Sequence, residues 1–311
     1  MKEFFDLNDL REWENATREI SPPIRLGVLG DPVAHSRSPA MQNAALAETG
    51  LAMQYARFQI APNELETALR LMCELGFVGC NLTVPHKIAA LTLVDEVDER
   101  ARKIGAINTI VFREGKSLGR NTDGPGFERA IREVFSVDLR DLRVLLLGAG
   151  GGAGRAIAWQ CAAENCERLV LVNRTFEKAQ ALARELASYF SGPRVLGPEA
   201  RLEAIPWGDP SLRRQLGRTD LVVNATTIGL HQSDPSPLPH GLLAPHLMVY
   251  DLLYKKTPTR LLAAAAEAGA RSASGLTMLL HQGALAFELW FDRPAPMAAM
   301  RAALQSSRDS G

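Results

Sequence analysis

A short apolar run that breaks into glycines constrains this chain more than any other stretch. It reads Val144-Leu145-Leu146-Leu147-Gly148-Ala149-Gly150-Gly151-Gly152-Ala153-Gly154-Arg155-Ala156. Glycine lacks a Cβ, so such a turn can tighten and its backbone N–H groups can approach an anion. The dipole of a following helix favours negative charge at the same point. The pattern predicts a strand, a turn holding a phosphate, and a helix. Taken alone, the glycines also fit a turn that is merely tightly packed.

With 311 residues the chain is long enough for two domains. Lys+Arg and Asp+Glu both number 35, so no net charge draws it to nucleic acid or to an anionic membrane, and neither is expected as a partner. Cys73, Cys80, Cys161 and Cys166 form no CxxC pair. Together with the scattered His35, His86, His231, His240, His246 and His281 they show no metal-ligand spacing, so no metal is expected. Reduced thiols in a cytoplasmic protein are the expectation. The N-terminus, Met1-Lys2-Glu3-Phe4-Phe5-Asp6, is not a secretory signal, and no apolar run is long enough to span a membrane.

Residues 1–23 read as an N-terminal extension, with a helix starting near Asn8 and ending before Ser21-Pro22-Pro23, packed against the body. Strands are predicted at 24–30, 55–60 and 77–84. Helices follow from Pro39 to before Gly50, over 62–74 and over about 95–104. This alternation predicts a parallel sheet covered on both sides. A strand at 106–112, a hairpin-like turn at 114–116 and a helix at 125–135 come next. From Val144 the pattern restarts: helix 155–163, strand 168–173, helix 177–189, an irregular stretch over 191–218, strands 220–226 and 247–251, and helix 260–268. A helix at 278–290 and a tail helix close the chain. The fold class is therefore α/β with two domains, an N-terminal α/β substrate domain with a mostly parallel sheet and a Rossmann-type dinucleotide-binding domain.

Some residues in this frame can carry chemistry. Lys87 follows a strand end, where α/β sites lie, and a lysine there can serve as acid or base. On local sequence alone it reads as a solvated loop lysine. Asp123 precedes Pro125 and reads equally as a helix cap or Asx-turn. Asn108 is polar in an apolar strand and needs a hydrogen-bond partner, backbone or ligand. Ser36 and Ser38 bracket Arg37 before a helix, where they could hold a carboxylate or where Ser38 could cap. After the second strand of the second unit comes Asn173-Arg174-Thr175-Phe176-Glu177-Lys178. The acidic residue that takes a ribose 2′-OH is absent. Two cations flank a hydroxyl instead, which favours NADP over NAD. Cations at a helix start oppose its dipole, which a bound anion would explain.

These motifs together resemble the shikimate dehydrogenase family, including its quinate/shikimate members. The resemblance rests on Gly30-Asp31-Pro32 with His35-Ser36-Arg37-Ser38-Pro39, Asn81-Leu82-Thr83-Val84-Pro85-His86-Lys87, Gly105-Ala106-Ile107-Asn108-Thr109 and Asn121-Thr122-Asp123-Gly124. It rests further on the glycine turn, Asn173-Arg174-Thr175, Asn224-Ala225-Thr226, Asp251 with Tyr254, and Gly275-Leu276-Thr277-Met278-Leu279 with Gln282. It runs in order over residues 24–290.

The resemblance implies NADP(H) as cofactor and reversible reduction of 3-dehydroshikimate to shikimate, in aromatic amino-acid biosynthesis. It makes Lys87 and Asp123 the catalytic pair. Ser36, Ser38, Thr83, Asn108, Tyr254 and Gln282 would bind substrate. Gly148, Ala149, Gly150, Gly151, Gly152, Asn173, Arg174, Thr175, Lys178, Thr226, Leu252, Gly275 and Met278 would bind cofactor. The implied domains are 24–124, completed by 275–311, for substrate, and 125–274 for NADP. A small-molecule substrate and a monomer or homodimer are expected.

Three positions depart from the family pattern. The glycine turn has one extra small residue, which leaves the third glycine role unassigned. Gln42 stands where histidine is frequent, and Lys256 where proline is frequent. A quinate/shikimate dehydrogenase of broader specificity and a catalytically inactive NADP-binding regulator are the alternative readings.

Overall fold

The computed structural model describes residues 2–192, 200–208, 210–231, 233–239 and 241–306. His240 and parts of the irregular stretch and the tail lie outside them. The chain divides into two compact units, Met1–Gly126 with Leu279–Gly311, and Phe127–Met278.

The first unit opens with α1 (Leu7–Arg11) and α2 (Trp13–Ala16), followed by β1 (Ile24–Gly30), α3 (Ser38–Glu48), β2 (Gln54–Gln59) and α4 (Leu65–Glu74). Then come β3 (Gly79–Leu82), α5 (His86–Ala89), β4 (Glu96–Val97), α6 (Glu99–Ile104), β5 (Thr109–Arg113) and β6 (Lys116–Arg120). Its sheet has the order β2-β1-β3-β5-β6-β4. β2, β1 and β3 run parallel, and β5 runs antiparallel to both β3 and β6. Glu114 and Gly115 both take positive φ (54° and 74°), the tight two-residue turn that a twisted hairpin prefers. α4 buries Leu65, Ala68, Leu69 and Met72, its apolar stripe.

The N-terminal residues belong to this unit's core. Asp6 and Asp9 cap the start of α1 reciprocally. Phe5, Leu7, Leu10 and Trp13 are buried with Phe58 and Phe77. The Trp13 ring centroid lies 5.2 Å from that of Phe77 and 5.4 Å from that of Phe5. Phe5 also forms a parallel bridge at Phe58, covering the edge of β2. Gly27 is required beneath it, because a Cβ there would meet the Phe58 ring.

Helix α7 (Asp123–Phe135) contains the division between the units. The second unit continues with β7 (Arg143–Leu147), α8 (Gly152–Ala163), β8 (Arg168–Asn173), α9 (Phe176–Leu186), β9 (Leu202–Pro206) and α10 (Leu212–Leu216). β10 (Leu221–Asn224), β11 (Met248–Asp251), α11 (Arg260–Glu267) and β12 (Arg271–Ser274) complete its sheet. All strands are parallel, in the order β12-β11-β10-β7-β8-β9. Numbered within the unit and read from β9, this is 3-2-1-4-5-6, the Rossmann order, whose direction reverses at β7. Alternate residues of the strands feed two buried clusters. Val144, Leu146, Leu169 and Val223 enter one; Leu145, Leu147, Val170 and Val222 enter the other. α12 (Leu276–Phe291) and α13 (Met297–Ser306) end the chain; α12 holds the second division between the units.

The first sheet is mostly parallel, as expected: β5 alone runs against its neighbours, and the hairpin after it brings β6 back to the common direction. Several expected elements differ. β4, β9 and β12 occur where the sequence shows no strand. α3 begins at Ser38, α7 at Asp123, α8 at Gly152 and α12 at Leu276, each ahead of its expected start. Among the described residues, no helix is long and apolar enough to cross a membrane, and no cluster of His, Cys, Asp and Glu could hold a metal ion. The four cysteines are free.

Candidate active site

Lys87 lies in the single turn of α5, immediately after Pro85 and His86. The Ile107 N–H donates to its carbonyl at 2.7 Å. Its Nζ donates to Asp123 Oδ2 at 2.6 Å, with side-chain exposures of 15% and 5%. Lys87 is thus paired and mostly buried, not a solvated loop lysine. Asp123 begins α7, but Asn121 supplies the local turn: its Oδ1 accepts from the Asp123 N–H at 3.0 Å. The Asp123 carboxylate is left for Lys87 and for Asn108.

Asn108 is the centre of the arrangement. It sits just before β5 and is 1% exposed. Its Nδ2 donates to Asp123 Oδ1 and Thr122 Oγ1, each at 2.9 Å, and reaches Gln282 Oε1 at 3.4 Å. Its Oδ1 accepts from the Thr122 N–H at 2.8 Å. The need for a partner is met inside the protein, by backbone and side chains together. Behind it, Asn81 Nδ2 donates to the Asn108 carbonyl at 3.2 Å and to Thr109 Oγ1 at 3.0 Å, while Tyr55 Oη donates to Asn81 Oδ1 at 2.8 Å. The cue for Asn81 is a buried polar residue between Cys80 and Leu82. Buried networks satisfied in this way are rigid.

His86 is buried, and Ile60 O lies 2.9 Å from its Nε2. Burial pushes its pKa below the ordinary value, while the Ile60 carbonyl and Asp31 pull the other way.

Ser36 lies in the turn before α3, and Ser38 is the first residue of that helix. Ser36 Oγ accepts from the Ser38 N–H at 3.3 Å. Arg37, not Ser38, is the N-cap, and no side chain caps this helix. Capping therefore does not occupy the Ser38 hydroxyl. Thr83 is half-buried, its N–H donating to Leu29 O at 2.9 Å. Gln282 is 8% exposed and donates from Nε2 to Leu279 O at 2.8 Å. A Cβ at Gly126 would strike the backbone of Gln282, so glycine is needed for this approach.

Tyr254 and the residues expected to hold cofactor lie in the second unit. Gly148 has φ 87°, and its N–H donates to Val172 O at 2.8 Å. A Cβ on it would meet Ala225 and Thr226, so the turns after β7 and β10 meet at the sheet's switch point. The Gly150 N–H donates to Asn173 Oδ1 at 3.2 Å, and a Cβ on Gly150 would crowd Asn173 and Lys178. Ala149 is buried beneath the turn. Gly151 is the N-cap of α8 and Gly152 its first residue, with no side-chain cap. A Cβ at Gly151 would find nothing nearer than Gly148 O at 3.8 Å, so the helix start opens into free space. Gly154 takes the third glycine role: a Cβ there would strike the Gly148 carbonyl.

Arg174, Thr175 and Lys178 are exposed at the start of α9, which also lacks a side-chain cap. Neither cation is in an ion pair among the described residues. An uncapped helix start, open glycines and two unneutralised cations fit a dinucleotide with an additional phosphate. Thr226 Oγ1 donates to Asn224 Oδ1 at 2.7 Å and accepts from the Ile228 N–H at 3.1 Å. The Leu252 N–H donates to Asn224 O at 3.0 Å, and a Cβ on Gly275 would strike the Leu252 backbone. The Met278 N–H donates to Tyr250 Oη at 3.0 Å. Sequence pattern gave no cue to that tyrosine.

A Rossmann unit with an open glycine turn, in one chain with a separate unit carrying a buried lysine–carboxylate pair, defines a protein of the nucleotide-linked dehydrogenase class. Comparison with known proteins agrees. Residues 28–110 match the shikimate dehydrogenase substrate binding domain, 129–193 the shikimate / quinate 5-dehydrogenase family and 275–305 the shikimate 5′-dehydrogenase C-terminal domain. A shikimate dehydrogenase (NADP(+)) of Methanopyrus kandleri is 44% identical over 281 residues, covering 90% of this chain and 94% of the relative. The crystal structure of shikimate 5-dehydrogenase from Thermus thermophilus, in complex with NADP(H) and shikimate, is 38% identical with TM-score 0.78, covering 91% of this chain and 99% of that one. Quinate dehydrogenase from Corynebacterium glutamicum in complex with NAD is 31% identical with TM-score 0.79, covering 91% and 99%. The chain belongs to the shikimate dehydrogenase family.

Proposed function

We propose that the protein is an NADP-dependent shikimate dehydrogenase, which reversibly reduces 3-dehydroshikimate to shikimate. The observation that carries the chemistry is the 2.6 Å Lys87–Asp123 pair, held by Asn108 in a mostly buried setting. In this reading the first unit binds substrate and the second binds cofactor. NADPH, when bound, supplies the hydride that reduces the ring ketone. As negative charge grows on the ketone oxygen, the Lys87 ammonium stabilises it and gives up a proton, forming the alcohol and leaving a neutral amine for solvent to reprotonate. In the oxidative direction the neutral amine takes the hydroxyl proton. Asp123 keeps Lys87 in place and accepts from a ring hydroxyl. Asn108, Thr83 and Gln282 hold the other hydroxyls, and Ser36 and Ser38 the carboxylate.

Gly148 to Gly152 support the pyrophosphate by backbone and helix dipole, with Asn173 fixing the turn. Arg174, Thr175 and Lys178 bind the 2′-phosphate. Thr226, Leu252, Gly275 and Met278 border the nicotinamide. The test is steady-state kinetics on 3-dehydroshikimate, shikimate and quinate, each with NADP(H) and NAD(H). Turnover is expected on the shikimate pair with strong preference for NADP(H). No NADPH oxidation by 3-dehydroshikimate would defeat the proposal. Likeness to a quinate dehydrogenase makes the quinate arm informative, and comparable turnover there would mark broader specificity.

A further inference from the structure

We propose that Arg57 is a positioning residue for the substrate carboxylate, acting through the turn that carries Ser36 and leads into Ser38. The inference rests on the reading that these serines bind the carboxylate.

Arg57 lies on β2, outside the family motifs. Its side chain is half-buried and crosses to the turn before α3. Nε donates to the Ser36 carbonyl at 3.0 Å and Nη2 donates to the same oxygen at 2.7 Å. A planar guanidinium that grips one oxygen with two N–H groups fixes the direction of that peptide. Ser36 is bonded on its other sides as well: its N–H donates to Val33 O at 3.0 Å, and its Oγ accepts from the Ser38 N–H. The Ser36 hydroxyl thus leaves a turn whose orientation Arg57 sets, and the Ser38 hydroxyl leaves the helix start tied to that turn. The guanidinium also brings a fixed positive charge to the segment that would receive an anion.

The grip has a support of its own. Arg57 lies on the edge strand, and the N-terminal segment holds the backbone there. The Phe5 N–H donates to Arg57 O at 2.9 Å, and the Gln59 N–H donates to Phe5 O at 2.8 Å. Phe5 is in turn sunk in the ring cluster with Trp13 and Phe58. A continuous path therefore runs from the N-terminal segment through Arg57 to Ser36. It gives that segment a part in shaping the site beyond packing.

The experiment compares Arg57→Met, Arg57→Lys, Ser36→Ala and Ser38→Ala with the wild-type protein. Kinetics with shikimate and NADP+ are read together with shikimate affinity by calorimetry and with thermal midpoints. Both arginine variants are expected to raise KM and Kd for shikimate by about tenfold, the effect of losing a charge-assisted grip, with kcat and the KM for NADP+ within about threefold. Arg57→Lys keeps charge and stem, so it carries the test if Arg57→Met does not fold. On the methyl ester of shikimate, which has no carboxylate charge, the arginine variants are expected to differ from wild type by less than about twofold. Serine variants that weaken shikimate binding beside arginine variants that do not would overturn the role of Arg57 alone. Serine variants without effect would instead overturn the carboxylate reading beneath it. A loss on the ester as large as on shikimate would reduce Arg57 to a general structural role and refute the proposal.

Discussion

In the first unit the polar side chains of the site are bonded to one another: Lys87 to Asp123, Asp123 to Asn108, and Asn108 to Thr122 and Gln282. In the second, the turn after β7 offers backbone and empty space, and Arg174 and Lys178 stand exposed and outside any ion pair among the described residues. The contrast suits the two tasks proposed for the units. Proton transfer needs one group fixed in place and orientation before substrate arrives, so its neighbours must already be satisfied. Phosphate recognition needs donors and charges not yet neutralised, since each internal partner would have to be displaced. Order in one unit and unspent capacity in the other are both preorganisation.

The strongest way to break this contrast is Lys87→Ala. It should lower kcat by about 10²–10⁴, the usual worth of a positioned acid–base group, while NADP+ affinity in the second unit stays within about twofold. Turnover near the wild-type value would remove Lys87 from the chemistry and leave its pairing with Asp123 purely structural.

Order in the first unit should also depend on its core. Trp13 is 7% exposed and packs against Phe5, Phe58 and Phe77. Trp13→Ala should destabilise the protein by about 3–5 kcal/mol in urea unfolding, through lost burial and a residual cavity. Its effect on NADP+ affinity should be small. A loss under about 1 kcal/mol would mean that the N-terminal segment is not part of the core that orders the site.

For the second unit the corresponding change is Arg174→Ala. It should raise KM for NADPH by about tenfold or more and leave that for NADH within about twofold, since only one of the two carries the 2′-phosphate. Equal effects on both cofactors would assign Arg174 to the pyrophosphate or to packing.

The same contrast explains what the sequence made legible. The glycine turn is a local code, and strand, turn and helix start fall together in one stretch of chain. The network around Asn108 joins residues 81, 87, 108, 123 and 282, so only the demand for partners could be read, not their identity. Lys87 shows this most clearly: its local sequence suits a solvated lysine, and its carboxylate lies 36 residues away. Among elements, the missed strands β4, β9 and β12 are all at sheet edges. Arg271-Ser272-Ala273-Ser274 and Glu96-Val97 carry almost no apolar signal, because an edge strand buries less and is held by backbone pairing to its neighbour. β2 is an edge too, yet its Tyr55, Ala56 and Phe58 are buried, and the strand could be read.

The smallest expected effect concerns His86, one residue before Lys87. Burial holds its pKa below the ordinary value of 6.5, against the opposite pull of the Ile60 carbonyl and Asp31. Below pH 6.5 an unfolded chain takes up a proton that the folded one resists, so stability is present above that value and is lost as pH falls from it to the folded pKa. The loss has a ceiling of about 1.4 kcal/mol per pH unit, the worth of one proton. His86→Phe has no such titration. Unfolding free energies at about pH 7, 6 and 5 should therefore fall more steeply for the wild-type protein than for the variant, since the other titrating groups are common to both. Parallel curves would show that His86 titrates alike in both states. The motif beside Lys87 would then be as indifferent to acid as the glycine turn, whose groups do not titrate in this range.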